Sequence, residues 1–148
     1  ALPILSFAEN NWDRKIIMPG YKFYLNSIQA HIANENLKLL DDKKEKLSIV
    51  RQMYNKELEY NNTSDHLYRI NVNNRNEFIQ YMKQKGIVCG IHYDTQHNNS
   101  VYSDLSFNCP KSEIVSKQTV SIPLHEALSL EEIEYIIKSV KEYGVLEN

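Results

Sequence analysis

Residues Pro19–Leu40 read PGYKFYLNSIQAHIANENLKLL, and the rest of the chain is organised around this stretch. A Pro-Gly break opens it, three aromatic residues follow with Lys22 among them, and the chain then runs into an apolar-periodic segment. Asn26 with Gln29 three residues on has the form of a capping box. In such a box a side-chain oxygen and a returning amide satisfy backbone donors left over at a helix start. A helix is therefore expected to begin here. A cationic, aromatic segment just before a helix N-terminus suits an anionic group, because freed amides and the helix dipole favour negative charge there. The alternative is an ordinary capped helix with a solvated lysine.

Working outward, Ile28, Ile32, Leu37, Leu40, Leu47, Val50, Tyr54 and Leu58 recur at three- and four-residue steps. That pattern predicts one long amphipathic helix, bent near Asp41-Asp42, with part of its apolar face left for a partner. Upstream, residues 1–18 hold the apolar Leu2–Phe7 run and Ile16–Met18 and read as two short extended pieces. Downstream, Tyr68, Ile70 and Val72 alternate with polar residues, as in a strand with one buried face. Asn74 and Glu77 then announce a short helix stopped by Gly86. Ile87, Cys89, Ile91 and Tyr93 fall on one face of a second strand and Val88, Gly90 and His92 on the other. A short helix over Pro110–Lys117, a third strand over Thr119–Ile122, and a helix capped by Ser129 and Glu132 and ended at Gly144 complete the chain. The expected fold class is α+β: a small three-stranded sheet backed by helices, with one long N-terminal helix.

Composition narrows the function classes. The 148 residues are 42% hydrophobic and 24% charged with a net charge of -2, enough for one core and too little for two comfortable domains. Charges of both signs are mixed along the chain, which gives no footprint for nucleic acid. Neither a secretory leader nor an apolar run near the ~20 residues that span a bilayer is found. With only Cys89 and Cys109 as cysteines, a reduced, cytoplasmic setting is expected.

A second stretch able to carry chemistry is Gly90–Tyr102, GIHYDTQHNNSVY. It places His92, Tyr93, His97 and Tyr102 where a strand end meets a loop, and their polar side chains suit a hydroxylated ligand. Three readings stand side by side: a polar ligand site, histidines that only satisfy hydrogen bonds at the surface, and a metal site using Cys89, His92 and His97. The spacing of that last set matches no strong zinc pattern.

The order of motifs carries a resemblance over nearly the whole chain. Gly20-Tyr21-Lys22-Phe23-Tyr24 before the long helix, His66-Leu67-Tyr68 opening a strand, Gly86-Ile87 to His92-Tyr93, then His97 and Tyr102, and Ser121-Ile122-Pro123-Leu124-His125 before a capped helix, resemble the C-terminal part of the DegT/DnrJ/StrS sugar aminotransferases. The resemblance implies a fold-type I transferase dependent on pyridoxal 5'-phosphate, which moves an amino group from glutamate to a nucleotide-linked keto-sugar in amino-sugar or cell-surface polysaccharide biosynthesis. It implies a homodimer with the active site between subunits; from charge, hydropathy and spacing, neither nucleic acid nor membrane is expected as partner, and no metal. By the same resemblance Lys22 approaches the cofactor phosphate, and His92, Tyr93 and His97, with Tyr24, line the sugar-nucleotide pocket.

In that family the cofactor lysine belongs to a large N-terminal domain, and none of that domain is recognised in these residues. Tyr24 stands where many relatives carry arginine or asparagine. Residues 1–18 are accordingly expected to continue a missing large domain and residues 19–148 to form the small domain. The chain alone is expected to bind no cofactor and to lack transaminase activity. A binding or dimerisation module that keeps this fold without catalysis is the alternative.

Overall fold

The structure, a computed structural model, describes residues 4–7, 15–19, 25–102 and 108–144, with the backbone alone in the first two segments. The extended pieces at the start pair as an antiparallel ladder, β1 (Ile4–Phe7) with β2 (Lys15–Pro19), whose register shifts between Leu5 and Ser6. Helix α1 (Ser27–Leu37) starts where its sequence predicts. Asn26 Oδ1 accepts from the Gln29 amide at 2.9 Å, and Gln29 Oε1 accepts from the Asn26 amide at 3.1 Å.

The single long helix is not observed. The chain breaks at Lys38–Leu39, where Leu39 leaves helical geometry (φ -99°, ψ 2°), and α2 (Leu40–Leu58) begins afresh. A helix start at Leu40 suits the local charge: Asp41 and Asp42 occupy the first turn of α2, where carboxylates are favoured by the positive end of the helix dipole. Tertiary packing then divides the two helices. Val50, Tyr54 and Leu58 are buried, whereas no residue of α1 is.

The core lies between α2, the sheet, α3 (Arg75–Gln84) and α5 (Leu130–Tyr143). Strand β3 (Tyr68–Asn71) pairs antiparallel with β4 (Thr119–Ile122), Tyr68 facing Ile122 and Asn71 facing Thr119. Tyr68, Ile70, Val120, Phe78, Met82 and Val140 meet there with essentially no exposure. Tyr54 sets its ring edge-on to Tyr68 at 4.9 Å and donates its hydroxyl to the Pro123 carbonyl at 3.0 Å, so each large ring is both packed and satisfied. Burial pushes the Tyr68 phenol up to about 12. Both later helices end on glycines in the left-handed half of backbone space, Gly86 at φ 76° and Gly144 at φ 92°, as a helix stop requires.

The expected three-stranded sheet is reduced to two strands and a bridge. Ile87 and Cys89 are buried and Val88 is exposed, as alternation predicts, but pairing is confined to Gly90 and Ser121, which exchange two backbone hydrogen bonds of 2.8 Å. Past Gly90 the ladder to β4 ends, and side chains of the segment are tied to the next helix, α4 (Pro110–Gln118), and to α3. Those ties build the site.

Candidate functional site

β4 is the platform, with β3 on one side and Gly90 on the other. Ser121 is buried and sits at the crossing, with its Oγ 3.0 Å from His92 Nδ1. The imidazole is thereby held beside the sheet edge, in edge contact with the Tyr93 ring at 5.2 Å. Five residues on, the chain makes a short 3-10 turn (Gln96–Asn98), and His97 Nε2 lies 3.0 Å from Glu113 Oε1 on α4. That bond spans loop to helix, and the His97 side chain is only 13% exposed.

The two walls so joined enclose a cleft of about 470 Å³. His92, Tyr93 and His97 of the loop all line it, together with Lys111, Ser112 and Ser116 of α4, Arg69 of β3 and Thr119 of β4. Among the described residues Arg69 and Lys111 form no ion pair. The two carboxylates at the margin are engaged: Glu113 with His97, and Asp94 with Arg75 at 3.0 Å. The cleft therefore combines net positive charge with hydroxyl and imidazole groups, which suits a ligand that is both anionic and hydroxylated.

The structure thus gathers three of the expected site residues, His92, Tyr93 and His97, in one cleft. Lys22 and Tyr24 lie outside the described residues. Tyr102 does not line the cleft; it closes a second 3-10 turn, its amide donating to the Asn99 carbonyl at 2.9 Å. The trio Cys89, His92 and His97 is pulled apart. Cys89 faces the core with its thiol pushed up to about 12 by burial, and no group of three or more potential ligands is placed to hold a metal ion among the described residues. No helix there is long and apolar enough to cross a membrane.

Arg69, Lys111, Glu113 and Ser121 were not anticipated from sequence. The signal available for them was weak: Arg69 is a polar position in an alternating strand, and Lys111, Val115 and Thr119 follow at four-residue steps. Nothing local tells which loop such a face will meet.

Comparison with known proteins bears on what this cleft serves. A curated dTDP-3-amino-3,6-dideoxy-alpha-D-galactopyranose transaminase of Aneurinibacillus thermoaerophilus is 27% identical over 141 residues, 86% of this chain and 39% of that protein. An uncharacterised protein of Methanocaldococcus jannaschii is 24% identical over 156 residues, 90% of this chain and 40% of its own. The chain therefore spans about 40% of the length of these curated relatives. Among solved structures, a DegT/DnrJ/EryC1/StrS aminotransferase from Brucella abortus superposes with a TM-score of 0.74 at 25% identity, over 92% of this chain and 40% of that one. A Streptococcus pneumoniae structure in a PLP form shares the fold, with a TM-score of 0.70 at 23% identity over 87% of this chain and 38% of its own. A profile of the family matches residues 6–141, nearly the whole chain, and the chain belongs to the DegT/DnrJ/EryC1/StrS aminotransferase family.

Proposed function

We propose that this chain is the C-terminal small domain of a pyridoxal 5'-phosphate-dependent aminotransferase, acting with glutamate on a nucleotide-linked keto-sugar. The observation that carries the reading is the convergence of His92, Tyr93 and His97 on a cationic cleft in a member of a family of aminotransferases. Residues 19–148 constitute the small domain and residues 1–18 lead into it from the large one. The setting is cytoplasmic, and the working unit is a homodimer.

In this proposal the cleft binds and orients the sugar nucleotide. Arg69 and Lys111 face its phosphates, where cations contribute most against clustered negative charge. His97, held through Nε2 by Glu113, directs its other ring nitrogen to a sugar hydroxyl or base. Ser121 fixes the imidazole of His92, Tyr93 supplies an aromatic wall, and Tyr24 is assigned to the same substrate by family resemblance.

The cleft does not fit the cofactor itself. A pyridoxal ring needs a lysine for its aldehyde carbon and a carboxylate for its ring nitrogen; Lys111 lines the cleft, but no carboxylate does, and the nearby Glu113 and Asp94 are committed to His97 and Arg75. The cofactor is accordingly assigned to the remainder of the polypeptide, where it serves as electron sink, with Lys22 near the phosphate held by the partner subunit. On this reading the 148 residues alone are inactive as a transaminase.

The test is amino transfer from glutamate to a dTDP-linked keto-sugar by the protein from its native source, read as 2-oxoglutarate formed. His92→Ala and His97→Ala should raise KM for the sugar nucleotide with little change in KM for glutamate. Equal effects on both substrates would contradict a sugar-nucleotide role for the cleft. A second reading, a non-catalytic association module, is favoured by one observation. Leu25, Ile28, Ile32 and Leu37 are each more than half exposed around α1, an apolar row of the kind that marks interfaces. Full sugar-nucleotide turnover without detectable dimer would remove it.

A further inference from the structure

We propose that Arg75 is a positioning residue that sets the width of the cleft by fastening its loop wall to its helix wall from behind. The proposal rests on the reading of the cleft as the ligand site. Arg75 does not line the cavity. It is the first residue of α3, following the N-cap Asn74, and its side chain is 13% exposed.

From there a single Nη1 reaches both walls: it donates to Asp94 Oδ1 at 3.0 Å and to the backbone carbonyl of Ser116. Asp94 lies between Tyr93 and His97 in the loop, and Ser116 lies on the face of α4 that lines the cavity. His97–Glu113 is a second tie between the loop and α4, made by a residue that lines the cavity, whereas Arg75 does not.

The chemistry favours arginine for this task. The two hydrogens of Nη1 are fixed in the guanidinium plane and so hold two acceptors in one geometry, which the rotating hydrogens of a lysine ammonium do less well. The charge is nearly withdrawn from solvent, and its Nε is buried with no hydrogen bond among the described residues. A cation buried with a donor unmade is costly. Its placement is thus explained by the two contacts Nη1 makes and not by packing alone. Asp94, by contrast, is 68% exposed, so the loop end of the tie can be cut without opening the core.

The test is backbone amide order parameters in the 148-residue chain, for wild type, Arg75→Met, Arg75→Lys and Asp94→Asn. Arg75→Met and Asp94→Asn should loosen residues 92–97 from a rigid value near ~0.85 toward ~0.6, with α2 and α5 unchanged and Arg75→Lys intermediate. Unaltered loop order in Asp94→Asn would overturn the proposal, and so would equal loosening of loop and core in every variant. If Arg75→Met does not fold, Asp94→Asn alone decides. Titration with dTDP separates this inference from the reading beneath it. Amides of 92–97 and 111–119 should shift, with affinity about twofold to fivefold weaker in Asp94→Asn, the range a partly exposed ion pair allows. If dTDP moves none of them in wild type, the ligand assignment fails while the loop measurement still decides the role of Arg75.

Discussion

Replacing Ser121 by alanine cuts the tie that orients His92 and leaves the sheet intact. The Gly90–Ser121 backbone pair survives the change, alanine fits the buried position, and the loss is the 3.0 Å contact between Oγ and Nδ1. A hydrogen bond of this kind contributes about 0.5–1.5 kcal/mol net. For a chain of 148 residues, about 1 kcal/mol lowers Tm by roughly 2–4 °C. The same energy, withdrawn from the orientation of the imidazole, weakens sugar-nucleotide binding about fivefold. The assay is urea unfolding of Ser121→Ala, His92→Phe and the double variant. If the bond is as drawn, the cycle yields a coupling of about 1 kcal/mol, because the second change has nothing left to remove. Additivity within about 0.3 kcal/mol would mean that Ser121 and His92 are not bonded in solution. A normal dTDP affinity in Ser121→Ala would show that His92 is oriented by something else.

Other expectations follow from particular residues. Phe78, fully buried with the Tyr143 ring edge-on at 5.0 Å, should lose about 3–5 kcal/mol as alanine, and urea unfolding with less than about 1 kcal/mol lost would contradict its place in the core. Glu142 accepts from Lys85 at 2.7 Å and from Tyr81 at 3.2 Å, first the ammonium and then the phenol holding its carboxyl below the usual range. A depressed carboxyl stabilises the fold above its ordinary pKa and loses that contribution as pH falls through the folded value. The Tm gap between wild type and Glu142→Gln should therefore be widest near about pH 7 and close toward about pH 3; a constant gap would exclude the linkage. Ile28→Glu with Ile32→Glu should alter unfolding free energy by no more than about 0.5 kcal/mol, since both side chains are exposed, yet reduce association in light scattering. A large stability loss would mean that α1 is packed within the chain.

Elements specified by neighbours in sequence were legible, and those specified across space were not. The boxes Asn26/Gln29 and Ser129/Glu132 form as their spacing dictates, and Gly86 and Gly144 stop the helices they follow, because caps are three-residue affairs. The sequence expectation of a bend near Asp41-Asp42 falls about one turn from the observed break at Lys38–Leu39; apolar spacing continues through it, so the pattern reads as one bent helix and not two. Whether Leu37 and Leu40 are covered is decided by tertiary packing, and both are exposed. Alternation over Ile87–Cys89 reported burial correctly but could not report a ladder partner, so the third strand shrank to one bridge. At the cleft, His92, Tyr93 and His97 were visible as a cluster in one loop. Their supports Ser121, Glu113 and, through Asp94, Arg75 stand 16 to 29 residues away, where no local pattern reaches.

The most direct measurement is the intact mass and absorbance spectrum of the protein from its native source. A polypeptide well above 17.4 kDa with the visible band of lysine-bound pyridoxal phosphate at about 420 nm is expected. A stable 17.4 kDa chain without that band would contradict the proposed function and leave the association module in its place.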